Sequence, residues 1–501
     1  MVMLKLSKRD IRQGYKGVKH LAQESFAKGD LNQAFLHVKQ CATLAQQFNW
    51  IYCDDELEDL LAEIGKAIIP EDIPDYTPNQ NRVVLYDDFC TSYVLALQYL
   101  DALVEMGKEV LYITSRDING NSKFSHILET VQTRPNVRTH VVPLGTVFER
   151  NIDVYQSIVG FCPSKVLLHI KASSIALPVL YRLPKQITRY IINLADQTFW
   201  LGKKAVDYVL EFRQFGVSVS QQRRGIKPEQ QLLVPFYPVV DGNEFQGFPK
   251  GMKTDSKVVV FSGGDLYKVT DKQKMFWHLV KRLLDSFPEV VFWFATKAEA
   301  NNIDVVDEFI KSNNYSGRFF YTPFRADINE VFAHIDVFMG TCPVCGSLMS
   351  QLAARNAVPI LQYYYPGTPD DESEQAICVN DYFRISYQDE EQFMQEAEKI
   401  IRDDNYRKRK GSRLMKAMVS VSQFNELVQE ALESNQSPIA LKPFSFDYKQ
   451  LDDRWFELEQ VGSVDTMPFV YGILGDVNVI RYAPSIFVKK QFNKMLGFLK
   501  K

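Results

Sequence analysis

Apolar residues recur at helical spacing over the first seventy positions and in short, unbroken runs thereafter, and this change of period divides the chain. Ile11, Tyr15, Val18, Ala22 and Phe26 mark one face of a helix at three- and four-residue steps. Gly29-Asp30 interrupts the pattern, Leu31–Phe48 resumes it, and Asp54-Asp55-Glu56 opens a third helix with acids where the dipole favours them. The stretch Pro70–Asn81, PEDIPDYTPNQN, has no period and reads as a proline-rich linker. Beyond it, apolar runs at Arg82–Tyr86, Glu109–Thr114, Val137–Pro143, Lys165–Ile170 and Thr188–Asn193 predict strands buried on both faces. Amphipathic segments Thr91–Met106, Ser122–Thr133, Val147–Val159 and Leu177–Leu183 predict the helices between them. A second alternating series starts at Lys257 and runs through Asp271–Phe287, Val290–Thr296, Asp304–Asn313 and Arg318–Thr322 to Val358–Tyr363. Repeated βα units imply right-handed crossovers and doubly wound parallel sheets.

The most informative stretch lies in that second series, from Arg325 to Tyr365. Strand Asp336–Thr341 empties through Cys-Pro-Val-Cys-Gly into a helix that starts at Ser347. A strand that ends at a helix N-terminus offers unpaired N–H groups and the positive end of the dipole to an anion. Gly346 permits close approach, and Ser347 and Ser350 add hydroxyls on the first turn. Phe261-Ser262-Gly263-Gly264 ends another strand of the same sheet, so Gly263 and Gly264 should face the same place, with Lys268 to neutralise a diphosphate. A glycine pair also serves simple tightness in a βα turn. Arg325 is a second candidate cation, or an arginine exposed near a helix start.

Composition narrows the classes. A chain of 501 residues with 46% hydrophobic and 24% charged residues builds two or three globular domains. Its net charge of −3 argues against a charge-driven nucleic-acid surface, so no nucleic acid is expected as a partner. The basic run Arg407–Lys410 reads as a solvated helix face or as a peripheral contact with acidic head groups. Seven scattered cysteines form no disulfide framework, and the start of the chain lacks a secretory core, which together fit a cytoplasmic setting. Cys342-Pro343-Val344-Cys345 could be a redox pair or half a zinc site, but it lacks the context of either and reads as turn residues. No metal and no cofactor are assigned.

The order Asp336-Val337-Phe338, Pro343, Gly346-Ser347-Leu348-Met349-Ser350-Gln351-Leu352-Ala353, then Pro359-Ile360, resembles the nucleotide-sugar half of a GT-B glycosyltransferase. The segment Asn193-Leu194-Ala195-Asp196-Gln197-Thr198-Phe199-Trp200-Leu201-Gly202 resembles a pattern of the O-linked N-acetylglucosamine transferase class, with Asn193 where that pattern has histidine. The resemblance implies an α/β fold of two doubly wound, Rossmann-like domains with a ligand cleft between them, here at 82–240 (acceptor) and 257–434 (donor). Residues 1–69 would form a helical extension and 435–501 a tail without assigned role. The phrase Ala27–Ala34 resembles the turn of a tetratricopeptide-type hairpin, which makes the extension a packed cap or a protein-docking surface.

It further implies transfer from a nucleoside diphosphate sugar, as co-substrate, to a glycan, lipid-linked or protein acceptor. Gly263, Gly264, Lys268, Arg325, Gly346, Ser347 and Ser350 would hold the donor phosphates, and Glu372 or Glu374 the donor's hydroxyls. Asp88, Asp117 and Asp196 would face the acceptor, with a first-domain carboxylate or His169 as base if the reaction inverts the anomeric centre and no such base needed if it retains it. Thr91 and Ser92 read as helix caps, and Asp196 also as a turn residue. Two other readings share the architecture: a nucleotide-sugar epimerase, and an inactive glycosyltransferase-like docking protein.

Overall fold

The computed structural model describes residues 6–72, 75–88, 95–115, 122–193, 195–238, 243–255, 257–296, 304–365, 372–462 and 466–499. The chain divides into two compact units. The first comprises Met1–Val234, Phe424–Phe444 and Val464–Lys501; the second comprises Pro235–Gln423 and Ser445–Ser463.

The first unit is built on seven strands: β1 Asn79–Asp87, β2 Glu109–Ser115, β3 Val137–Val142, β4 Pro163–His169, β5 Thr188–Asn193, β6 Tyr208–Glu211 and β7 Gln231–Leu233. Their order is β3-β2-β1-β4-β5-β6-β7, with every pair parallel. Val83, Val84, Leu85 and Tyr86 are all buried, as a strand covered on both faces requires. Strands β6 and β7 are too short to leave an apolar run, and the sequence pattern did not predict them.

Helices from both ends of the chain complete this unit. Lys8–Ala27 and Leu31–Phe48 form a hairpin whose turn uses Gly29 at φ 78° and Asp30, whose carboxylate accepts from the Gln33 N–H at 3.0 Å. Helix Asp476–Tyr482 lies against the first of these, and Pro484–Leu499 packs on Asp476–Tyr482 and reaches the first helix through Lys489. Gly17 makes that approach feasible, because a Cβ there would stand 2.3 Å from the Tyr482 Cβ. Lys489 pairs with the buried Asp10 at 2.5 Å and, with nearby serines, holds its carboxyl at about 2 despite burial. The third N-terminal helix, Asp55–Ile68, buries Glu58, whose carboxylate accepts the N–H groups of Gly202, Lys203 and Lys204 and the Tyr181 hydroxyl. Residues 1–69 are thus knitted into the first unit, and 435–501 are shared between the two.

The second unit carries six parallel strands: β8 Val258–Gly263, β9 Val290–Ala295, β10 Phe319–Thr322, β11 Val337–Met339, β12 Ile360–Tyr363 and β13 Ser386–Tyr387, in the order β10-β9-β8-β11-β12-β13. Phe276, Trp277, Phe292, Phe294 and Phe319 fill the layer between this sheet and helix Met275–Ser286. Both units are doubly wound. Each sheet reverses its order beside its first strand, at β1/β4 in the first and β8/β11 in the second.

Candidate functional site

In open α/β sheets, ligands collect at the carboxyl ends of the strands where the order reverses. In the second unit, that place is formed by the loops after β8 and β11. The two loops touch. Val344 N–H donates to the Lys268 carbonyl at 3.4 Å, and a Cβ on Gly264 would meet Lys268 Cδ at 3.2 Å and Thr341 Cγ2 at 3.6 Å. Gly264 sits at φ 155°, a backbone that side-chain-bearing residues seldom adopt.

Helix Ser347–Arg355 starts beyond the second loop, with Gly346 at its N-cap and no side chain capping it. Its first N–H groups therefore depend on something outside the helix for partners. A Cβ on Gly346 would lie 3.8 Å from the Lys268 Nζ and equally far from Met349, so the position has room. Gly263, Gly264, Lys268, Gly346 and Ser347 are thereby brought together. Ser350, one turn on, is fully buried, and its hydroxyl has no hydrogen-bond partner.

Other expected donor residues stand elsewhere. The Arg325 guanidinium chelates Asp327 at 2.7 and 2.6 Å, donates to the Gly247 carbonyl at 2.9 Å, and lies over the Phe245 and Trp293 rings. Beside Arg325, the Asp327 carboxyl is held below its ordinary range. That cation fastens the 243–248 segment, whose Gln246 N–H also donates to Asp327. Glu372 is described only as the first residue of helix Glu372–Ile377, and the acidic loop at 366–371 lies outside the described residues. Glu374 is buried and accepts from the Ile385 and Ser386 N–H groups and the Ser386 hydroxyl, so it ties β13 to that helix; burial raises its pKa. Cys342 is buried, and Cys345 Sγ lies 2.9 Å from the Ser373 hydroxyl. Among the described residues, no cluster of His, Cys, Asp and Glu is disposed to hold a metal ion.

The reversal point of the first unit is differently furnished. β1 ends at Asp87 and its neighbour β4 ends at His169, side by side in the sheet. Asp87 Oδ1 lies 2.8 Å from His169 Nδ1, and Asp87 Oδ2 accepts from the Tyr112 hydroxyl at 2.6 Å. Both partners are buried. With Nδ1–H donated to the carboxylate, the ring's basic lone pair resides on Nε2. Asp88 follows; its carboxylate accepts from the Ser115 hydroxyl at 3.1 Å and the Lys171 N–H at 3.3 Å, and burial raises its pKa. The sequence singles out Asp88 and His169 as residue types, whereas Asp87 is singled out only by its register opposite the histidine. Thr91, Ser92 and Asp117 lie outside the described residues.

Asp196 is fully buried and grips Arg213 through both oxygens, at 2.6 and 2.8 Å. Arg224, also buried, donates to the backbone carbonyls of Asp196 and Thr198. Asn193 donates to Glu211 at 2.8 Å, and Gln231 donates to the other oxygen of that carboxylate at 3.1 Å. Burial pushes the Glu211 carboxyl up to about 7. Neither Asp196 nor Asn193 faces solvent; both belong to an enclosed polar network that fixes the 193–204 segment. The N-terminal helices fix the same segment from outside, through Glu58 and through the Tyr52 carbonyl, which accepts from Trp200 N–H.

No family model matches the chain, and no curated protein is recognisably similar to it in sequence. Solved structures are similar in fold. A mutant of the Thermobaculum terrenum O-GlcNAc transferase superimposes with a TM-score of 0.51 at 13% identity, covering 89% of this chain and 84% of that one. A glycosyltransferase from Rickettsia africae gives 0.51 at 10% identity, covering 71% and 98%. Anabaena HepE in complex with UDP gives 0.50 at 15% identity, covering 70% and 100%. The fold is GT-B, with N-terminal helices added.

Proposed function

We propose that this chain transfers a sugar from a nucleoside diphosphate sugar to an acceptor hydroxyl. The observation that carries the proposal is the convergence of an uncapped helix N-terminus at Gly346, the Gly263-Gly264 loop and the Lys268 ammonium at the reversal point of the second sheet. Backbone amides and one cation suit a pyrophosphate, and they stabilise it most as it departs with negative charge developing on it. UDP is the nucleotide to try first, because HepE was solved with it.

The acceptor side of this reading rests on the first unit. His169, oriented by Asp87, is its base, and Asp88 is the alternative carboxylate. Asp196 contributes by holding the 193–204 segment rather than by moving a proton, since Arg213 occupies both its oxygens. Ser347 adds a hydroxyl beside the phosphates, while Ser350 is buried behind it.

The test is a thermal-shift panel of nucleoside diphosphates and their sugars, followed by product analysis with and without acceptors. Stabilisation by one diphosphate, with the sugar joined to an acceptor and the nucleoside diphosphate released only when that acceptor is present, is the expected result. No stabilisation by any nucleotide would reject the reading, and conversion of donor sugar in the absence of acceptor would mark an epimerase instead.

A further inference from the structure

The two helices Asp476–Tyr482 and Pro484–Leu499 present opposite characters to their two sides. Inward, Val479, Ala483 and Ile486 are fully buried. Outward, Val477 is 75%, Ile480 54%, Val488 62% and Met495 51% exposed. Val477 and Ile480 are one turn apart, and Val488 and Met495 two turns apart, so each pair shares a face of its helix. Pro484 and Gln491, also exposed, fall on the same stripe as Val488 and Met495. Large aliphatic side chains repeated along an open helix face signal an interaction surface.

Charge indicates what covers it. Residues 476–501 contain six basic residues (Arg481, Lys489, Lys490, Lys494, Lys500, Lys501) and one acid, Asp476. The whole chain is −3, so the remaining residues sum to −8 (−3 minus +5). Lys489 pairs with Asp10, and Lys490 pairs with Asp476 at 4.0 Å while lying over the Tyr471 ring, but Arg481 and Lys494 are exposed beside the apolar stripe. The run Arg407–Lys410 offers no equivalent surface. There Arg407 and Lys408 pair with Asp404, while Lys410 is buried against Glu396.

Exposed aliphatics flanked by uncompensated cations match the interface of an anionic bilayer, where the apolar stripe enters the acyl boundary and the cations meet head groups. We propose that this helical pair docks the protein on anionic lipid surfaces. The proposal is independent of the nucleotide site.

The test is co-sedimentation of the full chain with vesicles of phosphatidylcholine alone or mixed with phosphatidylglycerol, at low and high salt. Wild type should sediment with the mixed vesicles and be released by salt. V488E/M495E should lower that binding about tenfold or more, and R481E/K494E by a smaller factor that vanishes at high salt. All four side chains point outward, so thermal melts of both variants should match wild type. Failure to bind anionic vesicles, or binding unchanged in both variants, would overturn the proposal. So would a dimer in sedimentation velocity that V488E/M495E dissolves while vesicle binding is absent, since a second copy would then be the occupant.

Discussion

The reversal points of the two sheets occupy the same topological position and are built from opposite materials. At β1/β4, side chains dominate: Asp87, Asp88, His169 and Tyr112 are packed together and linked by hydrogen bonds. At β8/β11, backbone dominates: two glycine loops and an uncapped helix start, with Lys268 as the nearby cation. The first arrangement can hold a proton in a defined tautomer. The second can hold an anion without placing any side chain where the anion must sit. One winding pattern thus carries two kinds of strand end, because the loops there are free to vary while the sheet is not.

Four substitutions would break or sharpen that contrast. The largest effect is expected at Gly346. G346W should abolish measurable UDP binding by calorimetry while leaving the melting temperature near wild type, because a Cβ there meets its neighbours only at ordinary contact distance, 3.8 Å. Retained affinity would remove the helix start from the phosphate site. Next, H169N should leave UDP affinity intact and lower transfer by roughly 10²–10⁴-fold; equal loss of binding would show that the two reversal points do not divide the work.

Lys268→Ala should weaken UDP by about 10–100-fold, as loss of a charge-assisted contact does, and leave uridine unaffected. Equal weakening of both ligands would take Lys268 out of the phosphate contact. The smallest effect on ligand binding is expected at Glu211, in the enclosed network that positions the 193–204 segment, where the change falls on stability instead. Its native carboxyl titrates at about 7 against an ordinary 4.5, so the folded state binds that proton more firmly than the unfolded state. Its contribution is therefore most favourable at low pH and is lost as pH rises from 4.5 through 7. E211Q should gain on wild type over that window, by up to roughly 3 kcal/mol at 1.36 kcal/mol per unit. Parallel denaturation curves at pH 5 and pH 8 would contradict this.

The sequence by itself determined the scaffold. Apolar runs such as Val83–Tyr86 and Val258–Phe261 suit a parallel sheet with helices on both faces, and their alternation with amphipathic segments implies the winding. It also displayed the strand, turn and helix N-terminus around Gly346, since these are contiguous in the chain.

Tertiary structure decided which charged residues are free to act. Arg325 and Asp196 looked available as residue types, but each is held bidentately by a partner, Asp327 two positions away and Arg213 seventeen. Asp87 looked like a neighbour of the better candidate, and became the histidine's partner only when β1 and β4 were laid side by side. The helices at the two ends of the chain, unremarkable as sequence, pack together across more than 450 residues through Asp10 and Lys489. Local patterns are set by short-range sterics and burial, which a sequence displays. The availability of a charge depends on what the fold brings within 3 Å of it, which a sequence does not display.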